Sequence, residues 1–466
     1  MQKFIRAPDE RELRHLRTYA ARIRELDLPY NHYQYASIGT LLHWLSPPLP
    51  ILPQLCKMKW YFDRKSCNMP PMAASGLVNS GNLRHFVFSL EGPPDPTDSA
   101  IVRDIYPILT NLQSFSLSTA LPHEGRVMTP VIDDESLIWR LAQLQSLELN
   151  TRFTLTRPIL VSLSELSLQS LTLKGFSTSI CARFPRLFFP ALRNLSLAAT
   201  ASDIAELVQS ISLPNVTSVF LIMDIMDNRS STLVDRATFL SIYSTFPASL
   251  RRVHIQLLSF KHEGDETFWV GPNAINFDDF VLPLQSLRNL RELTLRVQLA
   301  SLVYEFMRLC NNNLKSLIPL WPELVLFDYH FHPSLCTWTP LRQDHPTLDT
   351  IFEFARAHPR LLHLRLPSVL TDGLPCGLDS IPAQEDAYPH LQGHGLLWFK
   401  VGWPWFVGGS GQSVSLEPIA LAIDRAFPQV RREFQRRRTI NAQNPWGYLE
   451  KELLELHVEE DVHGGS

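Results

Sequence analysis

The sequence predicts an α/β solenoid, a stack of short coils with a mainly parallel sheet lining a concave side and helices outside. Three observations carry the prediction. An apolar triplet with the spacing apolar-x-x-apolar-x-apolar recurs from end to end of the 466 residues. The segments between triplets change from strand to helix periodicity. The chain also holds 35 prolines against 19 glycines, which implies many short elements with frequent stops and disfavours a long helical bundle.

The triplets read Ile23-Leu26-Leu28, Leu55-Met58-Trp60, Leu83-Phe86-Phe88, Leu112-Phe115-Leu117, Leu144-Leu147-Leu149 and Leu168-Leu171-Leu173. They continue as Leu192-Leu195-Leu197, Val216-Val219-Leu221, Leu250-Val253-Ile255, Leu290-Leu293-Leu295, Leu324-Phe327-Tyr329 and Leu361-Leu364-Leu366. Successive units are about 24 to 40 residues apart, which brackets and overshoots the leucine-rich-repeat range. The last two apolar positions lie two apart, so on a strand both point inward and the residue between them points to the opposite face. A unit this small buries its apolar side only by stacking on neighbours. Several triplets are approached through Pro-x-Leu, at Pro53, Pro190, Pro214, Pro322 and Pro359, where proline holds the chain extended before the strand.

Helices are expected between the strands. Asp98-Ser99 opens DSAIVRDIYPIL, Asp133-Asp134 opens DDESLIWRLAQL, and Ser202 opens SDIAELVQSI with Asp203 and Glu206 near its positive end. Thr232 begins TLVDRATFLSIYSTF, and Asp349 lies in LDTIFEFARAHP. The sequence lacks the Asn or Cys that commonly follows the strand of such a repeat, which favours an irregular, helix-containing subclass. The solenoid is expected over 1–438, with a lead-in helix and a capping repeat. A tail over 439–466 is expected to be helical at first and then disordered.

The formal net charge of -3 gives no reason to expect nucleic acid as a partner. The six cysteines are scattered, the opening MQKFIRAPDERELRHLRTYA has no apolar signal-peptide core, and no stretch has the length of a membrane span. A cytoplasmic or nuclear location is expected.

Chemical motifs are few. DYHFHP sets Asp328, His330 and His332 at strand spacing, a pattern with zinc-ligand chemistry, but no fourth ligand is indicated and a polar strand face is the preferred reading. GGSGQS (408–413) precedes a helix candidate at Ser415 yet lacks the P-loop lysine, so it reads as a loop. RREFQRRR (431–438) reads as a solvated helix face, with nuclear import or an acidic partner as the alternative. Trp398, Trp403 and Trp405 are expected to cap the last edge of the core, with a binding patch as the alternative. No GxSxG, HExxH or EF-hand pattern occurs. The sequence therefore predicts no enzyme, no cofactor and no resident metal.

The segments FPALRNLSLAAT (189–200), LPNVTSVFLIMD (213–224), FPASLRRVHIQL (246–257) and LRNLRELTLRV (287–297) resemble the leucine-rich-repeat part of fungal, basidiomycete-type F-box proteins. RAPDERELRHLRTYAARIRELDL resembles the segment that follows an F-box, and GLLWFKVGWPWF with LEPIALAIDRAFPQV resembles the closing repeat. The resemblance covers about 420 residues and implies substrate reception for a cullin-type ubiquitin ligase. No LPxEIL-like F-box opening occurs in residues 1–40, so binding of the ligase adaptor is expected only with an upstream F-box. A stand-alone scaffold or adaptor is the alternative. Binding is expected on the concave face, through the side chains between the two buried positions of each coil. Those chosen are Glu148, Thr172, Ser196, Phe220, His254, Thr294, Asp328 and Arg365, with Phe220 as the apolar anchor.

Overall fold

A computed structural model describes residues 9–28, 52–63, 81–91, 111–119, 141–179, 185–227, 232–233, 236–258, 276–298, 309–331, 345–370 and 394–405, with 422–424, 426–427 and 429–430. The chain divides into two compact units, Met1–Val216 and Thr217–Ser466. In both, the core is built from the apolar triplets, and each unit has the leucine-rich-repeat α/β architecture.

The first unit begins with α1 (Glu10–Ala20). Asp9 caps it, accepting from the N–H groups of Arg11 at 2.9 Å and Glu12 at 2.8 Å, while Glu12 reaches back to Asp9 N. This capping box satisfies N–H groups that a helix start otherwise leaves bare. Strands follow as β1 (Glu25–Leu28), β2 (Lys57–Asp63), β3 (His85–Glu91), β4 (Ser114–Thr119) and β5 (Ser146–Leu155). After α2 (Arg157–Ser164) come β6 (Ser170–Thr178), the short β7 (Leu187–Phe188), β8 (Asn194–Thr200), α3 (Ala201–Ser210) and the short β9 (Ile211–Ser212). The sheet order is β1-β2-β3-β4-β5-β6-β8, parallel throughout, and β7 pairs with β9 apart from it. Leu147, Leu149, Leu171, Leu173, Leu195 and Leu197 are all buried, as their spacing predicts.

The second unit contains β10 (Ser218–Asp224), the antiparallel pair β11 (Met226–Asp227) and β12 (Thr232–Leu233), α4 (Arg236–Tyr243) and β13 (Arg252–Leu258). It continues through α5 (Phe277–Val281), a 3-10 turn (Leu282–Ser286), β14 (Glu292–Gln298), α6 (Asn311–Leu317), β15 (Leu326–Phe331), α7 (Leu348–Ala357), β16 (His363–Leu370) and β17 (Trp398–Trp405). Its sheet runs β10-β13-β14-β15-β16-β17, again all parallel. The helices turn apolar residues onto the inner face of the strands. Phe280 packs edge to face against both Phe239 and Tyr243, and Phe354 lies 5.4 Å from Phe327 between ring centroids.

One hydrogen-bond device recurs. Within each unit, the residue after the first apolar residue of a triplet repeatedly offers its carbonyl to two successive N–H groups of the following coil. Arg24 O accepts from Cys56 N at 2.8 Å and Lys57 N at 3.1 Å; Gln113 O accepts from Gln145 N and Ser146 N. In the second unit Arg251 O accepts from Arg291 N and Glu292 N, and Val325 O from Leu362 N and His363 N. Asparagine just before the triplet adds a side-chain link. Asn82, Asn111 and Asn215 donate through Nδ2 to Pro53 O, Gly81 O and Pro190 O, and Asn289 donates to Ala248 O.

Several expectations need correction. Thr232 does not start a helix: it lies in β12, where it pairs with Asp227 of β11, and α4 starts four residues later. The cap of α3 is Thr200, not Ser202; Thr200 has extended backbone and its hydroxyl accepts from Asp203 N. Ile23 and Leu26 are only half-buried, since β1 has a single sheet neighbour. A thirteenth triplet, Leu396-Phe399-Val401, is buried and in register with β16. Asp349 does sit in a helix, α7, capped by Thr347. The segments 98–109 and 408–413, the start at Asp133-Asp134, the helix candidate at Ser415, the basic run 431–438 and the tail 439–466 lie outside the described residues.

Candidate functional site

The sheet face opposite the core carries the side chains between the buried positions, and the parallel register aligns them into rows. In the first unit Glu148, Thr172 and Ser196 are direct neighbours on β5, β6 and β8. Glu148 accepts from Ser116 Oγ and pairs with Lys174 Nζ, each at 3.1 Å. Its charge is therefore matched within the sheet.

The row of the second unit is Phe220, His254, Thr294, Asp328, Arg365 and Lys400, one residue per strand from β10 to β17. Neighbouring strands stand about 4.8 Å apart, so the row is a regular comb of side chains. Phe220 stacks on His254 with ring centroids 4.3 Å apart and planes 22° from parallel. Stacking and burial remove the imidazole from water, and Nε2 of His254 is buried without a hydrogen-bond partner. Burial, assisted by the Arg296 charge, lowers the His254 pKa to about 4, so the ring is neutral at pH 7. Asp328 Oδ1 lies 3.8 Å from Arg365 Nε. Burial raises the Asp328 pKa against the pull of Arg365, Arg296 and Lys400. It also lowers that of Arg365, despite Asp328. Desolvation outweighs attraction at both groups, the usual balance for a loosely closed ion pair.

The structure thus brings Phe220, His254, Thr294, Asp328 and Arg365 together, and separately Glu148, Thr172 and Ser196. It places Asp328 and His330 on β15, whereas His332 lies outside the described residues. Among the described residues no group of three metal-ligating side chains converges. Trp398 opens β17; Trp403 and Trp405 follow on the same strand, in register with Ser368 and Leu370.

Sequence reasoning missed two members of the face, Arg296 and Lys400, whereas His330, read in the sequence as part of a polar strand face, lies there. Arg296 and His330 form a second row with Ile222 and Gln256, because the strands run on past the triplet. The alternation continuing through buried Met223, Leu257 and Val297 was the available signal. Lys400 was missed because the triplet around it was not counted as a coil. Two buried polar rings were missed as well. Trp321 Nε1 donates to Leu284 O, and the His358 ring nitrogens lie 2.8 Å from Phe354 O and Leu320 O. Both rings directly precede a Pro-x-Leu approach, and both tie a coil to the one before it.

No protein-family model and no curated protein matches the sequence. Among solved structures, the chain is similar to an internalin (inlF) of Listeria monocytogenes, at 11% identity and TM-score 0.37, over 82% of this chain and 94% of that one. It is also similar to the leucine-rich repeat-containing protein LegL7 of Legionella pneumophila, at 11% identity and TM-score 0.34, over 86% and 96% of the two chains. A third similarity, to mouse RP105 in its complex with MD-1, has 15% identity and TM-score 0.32, over 78% and 54%. The fold assignment rests on the strand ladder and the buried triplets themselves.

Proposed function

We propose that the chain is a protein-interaction module that holds its partner on the sheet face of the second unit. The finer reading is the substrate-recognition part of an F-box-type ubiquitin-ligase receptor, acting in the cytoplasm or nucleus. The observation that carries the binding reading is the six-strand row from Phe220 to Lys400. It sets a stacked aromatic pair beside a partly desolvated charge cluster on a hydrogen-bonded sheet. Aromatic and arginine side chains in such desolvated settings supply much of the energy of protein interfaces. The ligase reading is supported by the resemblance of the repeat segments alone.

Quantitative affinity capture from the native host, with wild type, Phe220→Ala and Arg365→Ala as baits, tests the face. A partner retained by wild type should be lost from both variants while the thermal midpoint stays nearly unchanged. If neither variant alters capture and a substitution on an outer helix, such as Arg356→Ala, does, the face is misassigned. The ligase reading predicts that the partner's ubiquitylated fraction falls when the gene is deleted. An unchanged fraction removes that reading and leaves a scaffold or adaptor.

A further inference from the structure

Around Asp328, the described face of the second unit holds more positive charge than that one carboxylate balances. Arg365 on β16 is the direct register neighbour of both Asp328 on β15 and Lys400 on β17. Arg296 stands on β14 one pleat beyond Thr294, the other register neighbour of Asp328. Three cations therefore surround one carboxylate. The side chains of Arg365 and Asp328 are only 21% and 17% exposed, so the excess charge is poorly screened. The adjoining row differs: there Arg252 pairs with Glu292 at 3.5 Å. At the preceding turns Glu323 takes Arg291 and Arg360. Beside the cationic patch lies the Phe220–His254 stack, with Phe220 four strand spacings, or about 19 Å, from Arg365. An extended chain covers that distance with about six residues.

We propose that this face recognises an extended acidic peptide segment of a protein partner, with carboxylates over Arg296, Arg365 and Lys400 and an apolar side chain on the Phe220–His254 stack. The inference deepens the binding reading above and rests on it. Charge complementarity selects the occupant. Arg365 is already partly desolvated in the free chain, so at that cation little further desolvation opposes the pairing, while Arg296 stands exposed to an incoming carboxylate. Asp328 then has a defined role: it holds Arg365 in place and competes with the incoming carboxylates.

The test uses the full chain and a fluorescein-labelled peptide with one phenylalanine, a short glycine spacer and a run of glutamates. A lysine counterpart and a single-stranded oligothymidylate serve as comparisons. Fluorescence anisotropy should show saturable binding of the acidic peptide alone, weakening as salt rises. Arg296→Gln with Arg365→Gln, and separately Lys400→Gln, should weaken it, the double variant by about tenfold or more. Asp328→Asn should tighten it, an opposite sign that general damage to the sheet does not produce. Arg288→Gln, an exposed cation on the turn before β14, should leave it unchanged. Absence of saturable binding, equal binding of the lysine peptide, preference for the oligonucleotide, or weakening by Asp328→Asn each overturns the proposal. If the acidic peptide fails while capture of a natural partner still depends on Phe220, only the acidic chemistry falls. If both fail, the binding face falls with it.

Discussion

His254 shows how one residue's setting fixes its chemistry. Its ring is stacked on Phe220 and its Nε2 has lost water without gaining a partner, so protonation is costly in the folded chain. The folded pKa of about 4 lies below the ordinary 6.5. Between those values the unfolded chain binds the proton more readily. Stability tied to His254 is therefore complete above about pH 6.5 and is lost as pH falls towards about 4. His358, lowered by burial, acts in the same direction, while Asp328, raised by burial, acts in the opposite one. Comparison with His254→Gln isolates the single group. The wild-type thermal midpoint should fall relative to that variant between about pH 7 and pH 4, and a constant gap across that range excludes the assignment.

At the scale of the element, each triplet from Leu55 onward gives its strand two buried side chains with one facing side chain between them. Leu195 is buried in β8, so Leu195→Ala should cost roughly 2–5 kcal/mol in chemical denaturation. A loss below about 1 kcal/mol would mean that the site is not close-packed. Asn289→Ala removes a side-chain bond to Ala248 O at an exposed turn and should cost only about 0.5–1.5 kcal/mol. The ordering of the two losses is the informative outcome. The helix starts are held by polar hooks of the same kind: Asn313 Nδ2 donates to Asp278 Oδ1, and Thr347 N donates to Asn311 Oδ1.

Across the whole molecule, the repeat was legible because its signal is periodic and apolar. Each triplet from Leu55 onward is buried, since a leucine with polar neighbours on a strand has one stable orientation. Helix starts were less legible. Thr200, Ser202 and Thr232 all have capping chemistry, and tertiary pairing decides which of them is used. The face was half legible. The spacing places Phe220, His254, Asp328 and Arg365 on one side, but register alone makes them neighbours, and register depends on where every strand starts. Arg296 and Lys400 escaped because strand length and the final coil are set by pairing that no single segment encodes.

The twice-used carbonyl at the start of each strand has a consequence for how such a chain tolerates change. It fixes where the next coil joins the sheet, whatever length of chain lies between. Triplets about 24 residues apart and triplets about 40 apart accordingly enter the ladder at the same point. Length is absorbed elsewhere, and extending a flexible connection is cheap, about 0.6 kcal/mol for each doubling. A glycine-serine insert that doubles the segment between β13 and α5 should therefore move the thermal midpoint by no more than a few degrees. The same insert placed between Arg251 and Arg252 should abolish cooperative unfolding, because it separates the two N–H groups that share Thr217 O and parts the Arg251 carbonyl, which sets β14, from β13. Within each unit the joining points are thus set by hydrogen bonds at the strand starts, and an insert that leaves them intact should leave the surface facing a partner undisturbed.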